Sequence, residues 1–199
     1  GLKLYNLGQR REAGIDAERP PRPAGPLAWL HVPSEAQSGQ MFALARRLIE
    51  DDGVAVMMAC PQPLIGRAGV ILQPPPGETP ADAKGFLDYW RPEIGVFSDG
   101  ELRPALLHQV AERKIPLLMV NARGPRFLRD RDGWYPGLMR SALSAFTQIL
   151  AVDEAGAKLF RKAGALLSAV AVTGRTEEES AVLPCLEPER ATLADLLAA

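Results

Sequence analysis

From Leu27 onward, short runs of unbroken apolar residues alternate with longer stretches in which apolar positions recur every three to four residues. The runs predict strands at 27–32, 54–59, 70–73, 94–97, 115–120, 149–152 and 167–172, and the stretches between them predict helices at 39–51, 80–90, 101–114, 134–147 and 153–163. Thr79 and Asp153 stand where helix N-caps belong, and Gly164 stands where the last helix should end. Strands such as GVAVMM and LLMV are apolar throughout, which a parallel sheet covered by helices on both faces requires. The expected fold is therefore an α/β, doubly wound, mainly parallel sheet. In such a sheet ligands sit beyond the carboxyl ends of the strands, so chemistry is expected in the loops after Val32, Ala59, Phe97, Val120 and Val152.

Outside this alternation the pattern changes twice. Residues 1–26 carry Pro20, Pro21, Pro23 and Pro26 and read as an arm and linker with one short helix near 2–11. Residues 27–174 form the expected domain, and 175–199 read as an acidic linker, with six acidic residues against Arg175 and Arg190.

The 199 residues are 47% hydrophobic and 24% charged, an ordinary globular balance that excludes disordered and fibrous classes. A chain of this length buries enough surface to fold without disulfide or metal staples. Cys60 and Cys185 lie far apart and lack metal-binding spacing, so they read as free thiols in a reducing compartment. The net charge of −1 gives no electrostatic argument for a nucleic-acid partner. Locally, residues 121–140 hold five arginines against two aspartates. No apolar run reaches the roughly 18 residues of a membrane span. The chain also has no GxGxxG after its first strand, no GxxxxGK[ST] and no GxSxG, which disfavours a Rossmann dehydrogenase, a kinase or an esterase-type nucleophile.

Several side chains are candidates for chemistry, each with a plain structural alternative. The loop from His31 to Gly39 leads into a helix N-terminus, where Ser34 or Ser38 serves either as a cap or as a ligand contact. Glu35 is that loop's only carboxylate and is either a base or a solvated surface charge. Asp99 and Glu101 either face an acceptor hydroxyl or cap the next helix. Asn121, Arg123 and Arg126 suit recognition of a phosphate or carboxylate, or form a solvated charged loop. His31 ends the first strand, in a structural or a ligand-binding role, whereas His108 falls mid-helix and reads as surface or packing. Two histidines alone make no metal site, and none is expected.

At these loops the chain resembles the N-terminal domain of the 3-deoxy-D-manno-octulosonic acid (Kdo) transferases over about residues 23–174. RPAGPLAWLHVPSEAQSG resembles that family's W-[IL]-H-A-x-S-x-G-E opening, RPEIGVFSDGELRPALL its R-P-x-x-x-x-F-x-E-T-E-L-W-P-N-L-L, and IPLLMVNAR its I-P-[VL]-x-L-x-N-A-R. ILAVDEAGAKLFRKAGA and VAVTGRT are similar to the stretches before the family's interdomain linker. The resemblance implies the Rossmann-like N-terminal half of a GT-B glycosyltransferase. It implies transfer of Kdo from CMP-Kdo to a lipid A precursor in lipopolysaccharide assembly, at the cytoplasmic face of the inner membrane of a Gram-negative bacterium. The acceptor would be held by this domain, the CMP-Kdo donor by a C-terminal domain, without a metal or other cofactor, and with peripheral contact to an anionic membrane surface. Carried over by position, Ser34, Glu101, Asn121 and Arg123 line the acceptor cleft, and the basic loop including Arg126 suits the acceptor's phosphates. The family's general-base glutamate aligns with Gln37, which cannot take a proton. Either Glu35 substitutes as base, or the chain is a catalytically silent lipid A- or saccharide-binding relative. Two further departures fall in the same cleft: the family's T-x-T-x-T-G loop reads Met57 to Pro63 here, and its E-T-E-L-W-P tryptophan is Arg103.

Overall fold

Leu27–His31, the first strand (β1), is buried at every position because both faces of the sheet are covered. Alternate residues serve the two sides. Leu27 and Trp29 pack into the larger apolar cluster, and Ala28, Leu30 and Val32 into the smaller one. The computed structural model describes residues 1–8, 19–67, 69–128 and 135–175. Around β1 run β2 (Ala55–Ala59), β3 (Val70–Gln73), β4 (Ile94–Ser98), β6 (Leu117–Ala122), β8 (Gln148–Ala151) and β9 (Val170–Val172), in the spatial order β3-β2-β1-β4-β6-β8-β9 with every pair parallel. The order runs outward in both directions from β1, as the expected doubly wound sheet requires.

The helices follow from local signals. In α3 (Pro80–Trp90) the Thr79 hydroxyl accepts from the Asp82 amide at 3.1 Å, and Pro80 opens the first turn. In α6 (Glu154–Ala163) the Asp153 carboxylate accepts from the Gly156 amide at 2.7 Å, and Gly164 at φ 104° ends the helix. α2 (Ser38–Glu50) turns Met41, Phe42 and Ala45 onto the smaller cluster.

Four elements differ from the sequence expectation. The helix expected from residue 101 starts at Pro104 (α4, Pro104–Glu112), because Glu101–Leu102 (β5) pairs in parallel with Arg126–Phe127 (β7) and Pro104 fits only a first helical turn. The helix expected over 134–147 is reduced to α5 (Leu138–Leu143), preceded by Gly137 at φ 71°. Of the strand expected over 167–172, Leu167–Ala169 is a 3-10 turn and only Val170–Val172 pairs. The N-terminal helix α1 spans Leu2–Gly8 and is part of the core, with Tyr5 fully buried against Tyr135. The rest of the basic loop, most of the acidic segment and Cys185 lie outside the described residues.

Candidate functional site

Among the described residues, eight polar or charged side chains are buried: His31, Gln73, Glu78, Ser98, Asp99, Glu101, Arg103 and Asn121. All eight lie at the carboxyl end of a strand or in the loop that follows it. Burying polar groups costs free energy unless they are paired, so such a concentration at one edge needs a reason that packing does not supply.

The centre is a histidine–carboxylate pair. His31 Nε2 lies 3.0 Å from Glu101 Oε1, with the imidazole fully buried and stacked near Phe97, ring centroids 4.5 Å apart. Burial holds the His31 pKa below its ordinary value, against the pull of the Glu101 carboxylate. Burial alone would push the Glu101 carboxyl upward, but the His31 hydrogen bond and the charges of Arg103 and Arg126 bring it below its usual range. The neutral imidazole therefore donates from Nε2 to an ionised carboxylate. Nδ1 is left as a buried acceptor with no partner among the described residues.

A second layer lies behind this pair. Arg103 donates from Nε to Glu78 Oε1 and from Nη2 to the Pro76 carbonyl, each at 2.6 Å, and the Tyr5 hydroxyl donates to Glu78 Oε2 at 2.7 Å. The cluster joins α1, the loop after β3 and the start of α4. The side chain that replaces the expected tryptophan is thus an internal cation paired with a buried carboxylate and a backbone carbonyl.

At the ends of β4 and β6 the backbone takes an unusual course. Asp99 has φ 72° and Asn121 has φ 52°, a region where Asp and Asn are tolerated better than other side chains. The Asn121 side chain donates to Gln40 Oε1 at 2.8 Å, tying β6 to the first turn of α2. Gly100, at φ 120°, lies so close to the other loop that an added Cβ would fall 2.1 Å from the Gly124 carbonyl oxygen. Gly100 also accepts the Arg126 amide at 3.0 Å, and Asp99 accepts the Arg123 amide at 3.3 Å. The two loops are interlocked.

The side chains singled out from sequence fall into three settings. Glu101 and Asn121 are buried in the cluster. Arg123 and Arg126 are about half exposed and converge on the Asp99 carboxylate, at 3.7 and 2.7 Å, so their charge is partly neutralised inside the protein. Glu35 and Gln37 lie in a single 3-10 turn, Glu35–Gln37, and Ser34 precedes it, its hydroxyl hydrogen-bonding the Gln37 side-chain oxygen and making no capping bond. Gln37 is half-buried and Glu35 faces solvent. His108 is exposed on α4. Glu78, Arg103, Tyr5 and Gln40 were not among the candidates. The strand-end rule would have reached Glu78 had it been applied to the loop after Gln73.

No group of three His, Cys, Asp or Glu among the described residues could hold a metal ion. Nor is any helix among them long and apolar enough to cross a membrane. The chemistry on offer is recognition of a polar, hydroxylated or anionic ligand at the carboxyl edge.

Residues 6–178 match the family model described as 3-deoxy-D-manno-octulosonic-acid transferase (kdotransferase). The chain belongs to the Kdo transferase family. A 3-deoxy-D-manno-octulosonic acid transferase of Bordetella pertussis is 29% identical over 174 residues, which cover 81% of this chain and 40% of that protein. The chain thus spans about two fifths of the length of this curated Kdo transferase. Among solved structures, UDP-GlcNAc 2-epimerase from Neisseria meningitidis bound to UDP-GlcNAc superposes with a TM-score of 0.52 over 86% of this chain and 52% of its own, at 14% identity. An S. aureus MnaA–UDP complex gives 0.50 over 76% and 44%, also at 14% identity. These likenesses show the fold, that of one half of a GT-B-like protein.

Proposed function

We propose that this domain is the acceptor-binding half of a Kdo transferase-like glycosyltransferase, which presents a lipid A precursor to a CMP-Kdo donor held by a second domain. The observation that supports this reading is the collection of buried polar side chains at the carboxyl edge, and the motif resemblance carries the acceptor roles over to Ser34, Glu101, Asn121 and Arg123. In this reading Glu101 and Asn121 orient sugar hydroxyls. Arg123 and Arg126, freed in part from Asp99, meet the acceptor's phosphates and the anionic membrane at the cytoplasmic face. Glu101 makes a poor base, because one of its oxygens is engaged by His31 and its negative charge is stabilised by His31 and the nearby arginines.

The identity of the base separates two versions of the function. An amide at position 37, hydrogen-bonded to Ser34, favours a second reading: a relative that binds lipid A or saccharide without transferring Kdo. The test is a transfer assay on the full-length natural protein with CMP-Kdo and a lipid A precursor, comparing wild type, Glu35→Ala and Gln37→Glu. Wild-type turnover lost in Glu35→Ala assigns the base to Glu35. Turnover gained only in Gln37→Glu places the loss of chemistry at one residue of an intact cleft. Silence with acceptor binding retained selects the binding protein, and silence without binding overturns both versions.

A further inference from the structure

A second feature lies on the same edge but outside the polar cluster. The carboxyl ends of β2 and β3 flank an open cavity of about 280 Å³ walled by Met58, Cys60, Leu64, Leu72, three prolines and the two glutamines Gln62 and Gln73. That is nearly twice the ~150 Å³ of an apolar cavity known to accept benzene. The prolines give the wall a fixed shape before any ligand arrives. Gln62 and Gln73 supply the polar part of the lining: the Cys60 thiol points to Gln62 Oε1 at 3.5 Å, and the Cys60 amide donates to the Gln73 carbonyl. Two glutamines among nine lining residues replace little of the hydration a sugar or a nucleotide would give up there, whereas a hydrocarbon has no hydrogen bonds to lose.

Two features of the adjoining loop concern charge and exposure. Ile65 is 88% exposed, an apolar side chain standing out beside an apolar cavity. Gly66 lies against Leu72 of the wall, and the next residue, Arg67, lays its guanidinium over the Phe42 ring at 4.6 Å with no carboxylate partner among the described residues. An apolar cleft with such a cation three residues along the loop from its lining Leu64 matches an anionic head on an alkyl chain. The cavity also adjoins the polar cluster, since Cys60 follows Ala59, the direct register partner of His31 one strand spacing (~4.8 Å) away. A single amphiphile can reach both.

We infer that this cavity seats an acyl chain of the anionic lipid acceptor, with Arg67 drawing the charged head to its mouth. The inference rests on the acceptor reading above and adds a seat on the side where this chain has exchanged a threonine-rich loop for Met57 to Pro63.

The test is calorimetric titration of the full chain with butyl, octyl and dodecyl phosphate, and separately with a glucosamine disaccharide bisphosphate that carries no acyl chain. Affinity should rise about fourfold for each methylene buried until the cavity is full, then level off. Leu64→Trp, which fills the cavity from its loop, should weaken dodecyl phosphate at least tenfold and butyl phosphate by a smaller factor, flattening the chain-length dependence, and Leu72→Phe should do the same from the strand side. Arg67→Ala should weaken both phosphates by a similar factor. Affinity independent of chain length, or unaltered in cavity-filling variants that melt like wild type, overturns the acyl seat. If the acyl-free disaccharide still binds in that case, the acceptor reading stands without it. Chain-length dependence with no disaccharide binding supports a lipid cavity but overturns its assignment to the acceptor.

Discussion

Arg103→Met isolates the internal ion pair. In the native protein both Arg103 and Glu78 are about 5% exposed and joined at 2.6 Å, so removing the guanidinium leaves a carboxylate buried with only Tyr5 to hydrogen-bond it. Breaking one side of a buried pair costs about 3–5 kcal/mol, a large part of the about 5–15 kcal/mol that holds a domain of this size. The double variant Arg103→Met with Glu78→Gln removes the stranded charge while retaining an acceptor for the Tyr5 hydroxyl. It should therefore be more stable than Arg103→Met alone, with a coupling of about 2 kcal/mol or more between the two positions. Tyr5→Phe should cost about 1.5–3 kcal/mol, as expected for a hydrogen bond to a charged acceptor. Urea unfolding followed by tryptophan fluorescence measures all five proteins, namely wild type, Arg103→Met, Glu78→Gln, their double variant and Tyr5→Phe, with the midpoint shifts read at constant m. If Arg103→Met lies within about 0.5 kcal/mol of wild type, or if the double variant equals the sum of the singles, the pair is not the desolvated unit described here.

Acid should destabilise the protein earlier than its carboxylates alone would require. His31 is held neutral in the fold, so it contributes stability fully above its unfolded value of about 6.5 and loses it as pH falls from there. Glu101, also lowered, adds a further loss at more acid pH. Unfolding free energy measured from pH 7.5 to 5 should fall by up to about 1.4 kcal/mol per unit in the steepest region, and His31→Gln should flatten the upper part of that curve. A stability that rises on acidification over this range would contradict the assignment. Gly100→Ala should destabilise severely, by about 3 kcal/mol or more, because the added methyl meets a backbone oxygen at a φ that side chains avoid. A melting temperature within a few degrees of wild type would show that the two loops separate easily.

The legibility of the fold followed the range of the interactions that set each element. α3 and α6 carry their own caps within three residues, and both stand where the apolar period and Thr79, Asp153 and Gly164 put them. β5 was invisible because its partner, Arg126–Phe127, lies some two dozen residues on and pairs for two residues only. α1 could not be seen as core, since what buries Tyr5 is Glu78, 73 positions away, together with Tyr135. In the candidate site, residue types at strand ends pointed to Glu101 and Asn121. That Arg123 and Arg126 spend part of their charge on Asp99 depends on two loops meeting in space, which no local pattern encodes. Arg103 was visible only as a departure from a motif, and its partner Glu78 had no motif at all.

The interlock of the loops after β4 and β6 bears on how such a domain can change its ligand over evolutionary time. Because Gly100 leaves no room beneath the Gly124 carbonyl, an insertion in either loop has to be matched in the other before the chain folds again, which makes paired changes rare. The segment from Pro61 to Pro63 is exposed, lines an open cavity and contains no glycine wedged against another backbone. Diversification is therefore channelled to the β2–β3 side of the edge. Relatives should keep the β4–β6 half nearly constant in length and differ in what their β2 loop admits.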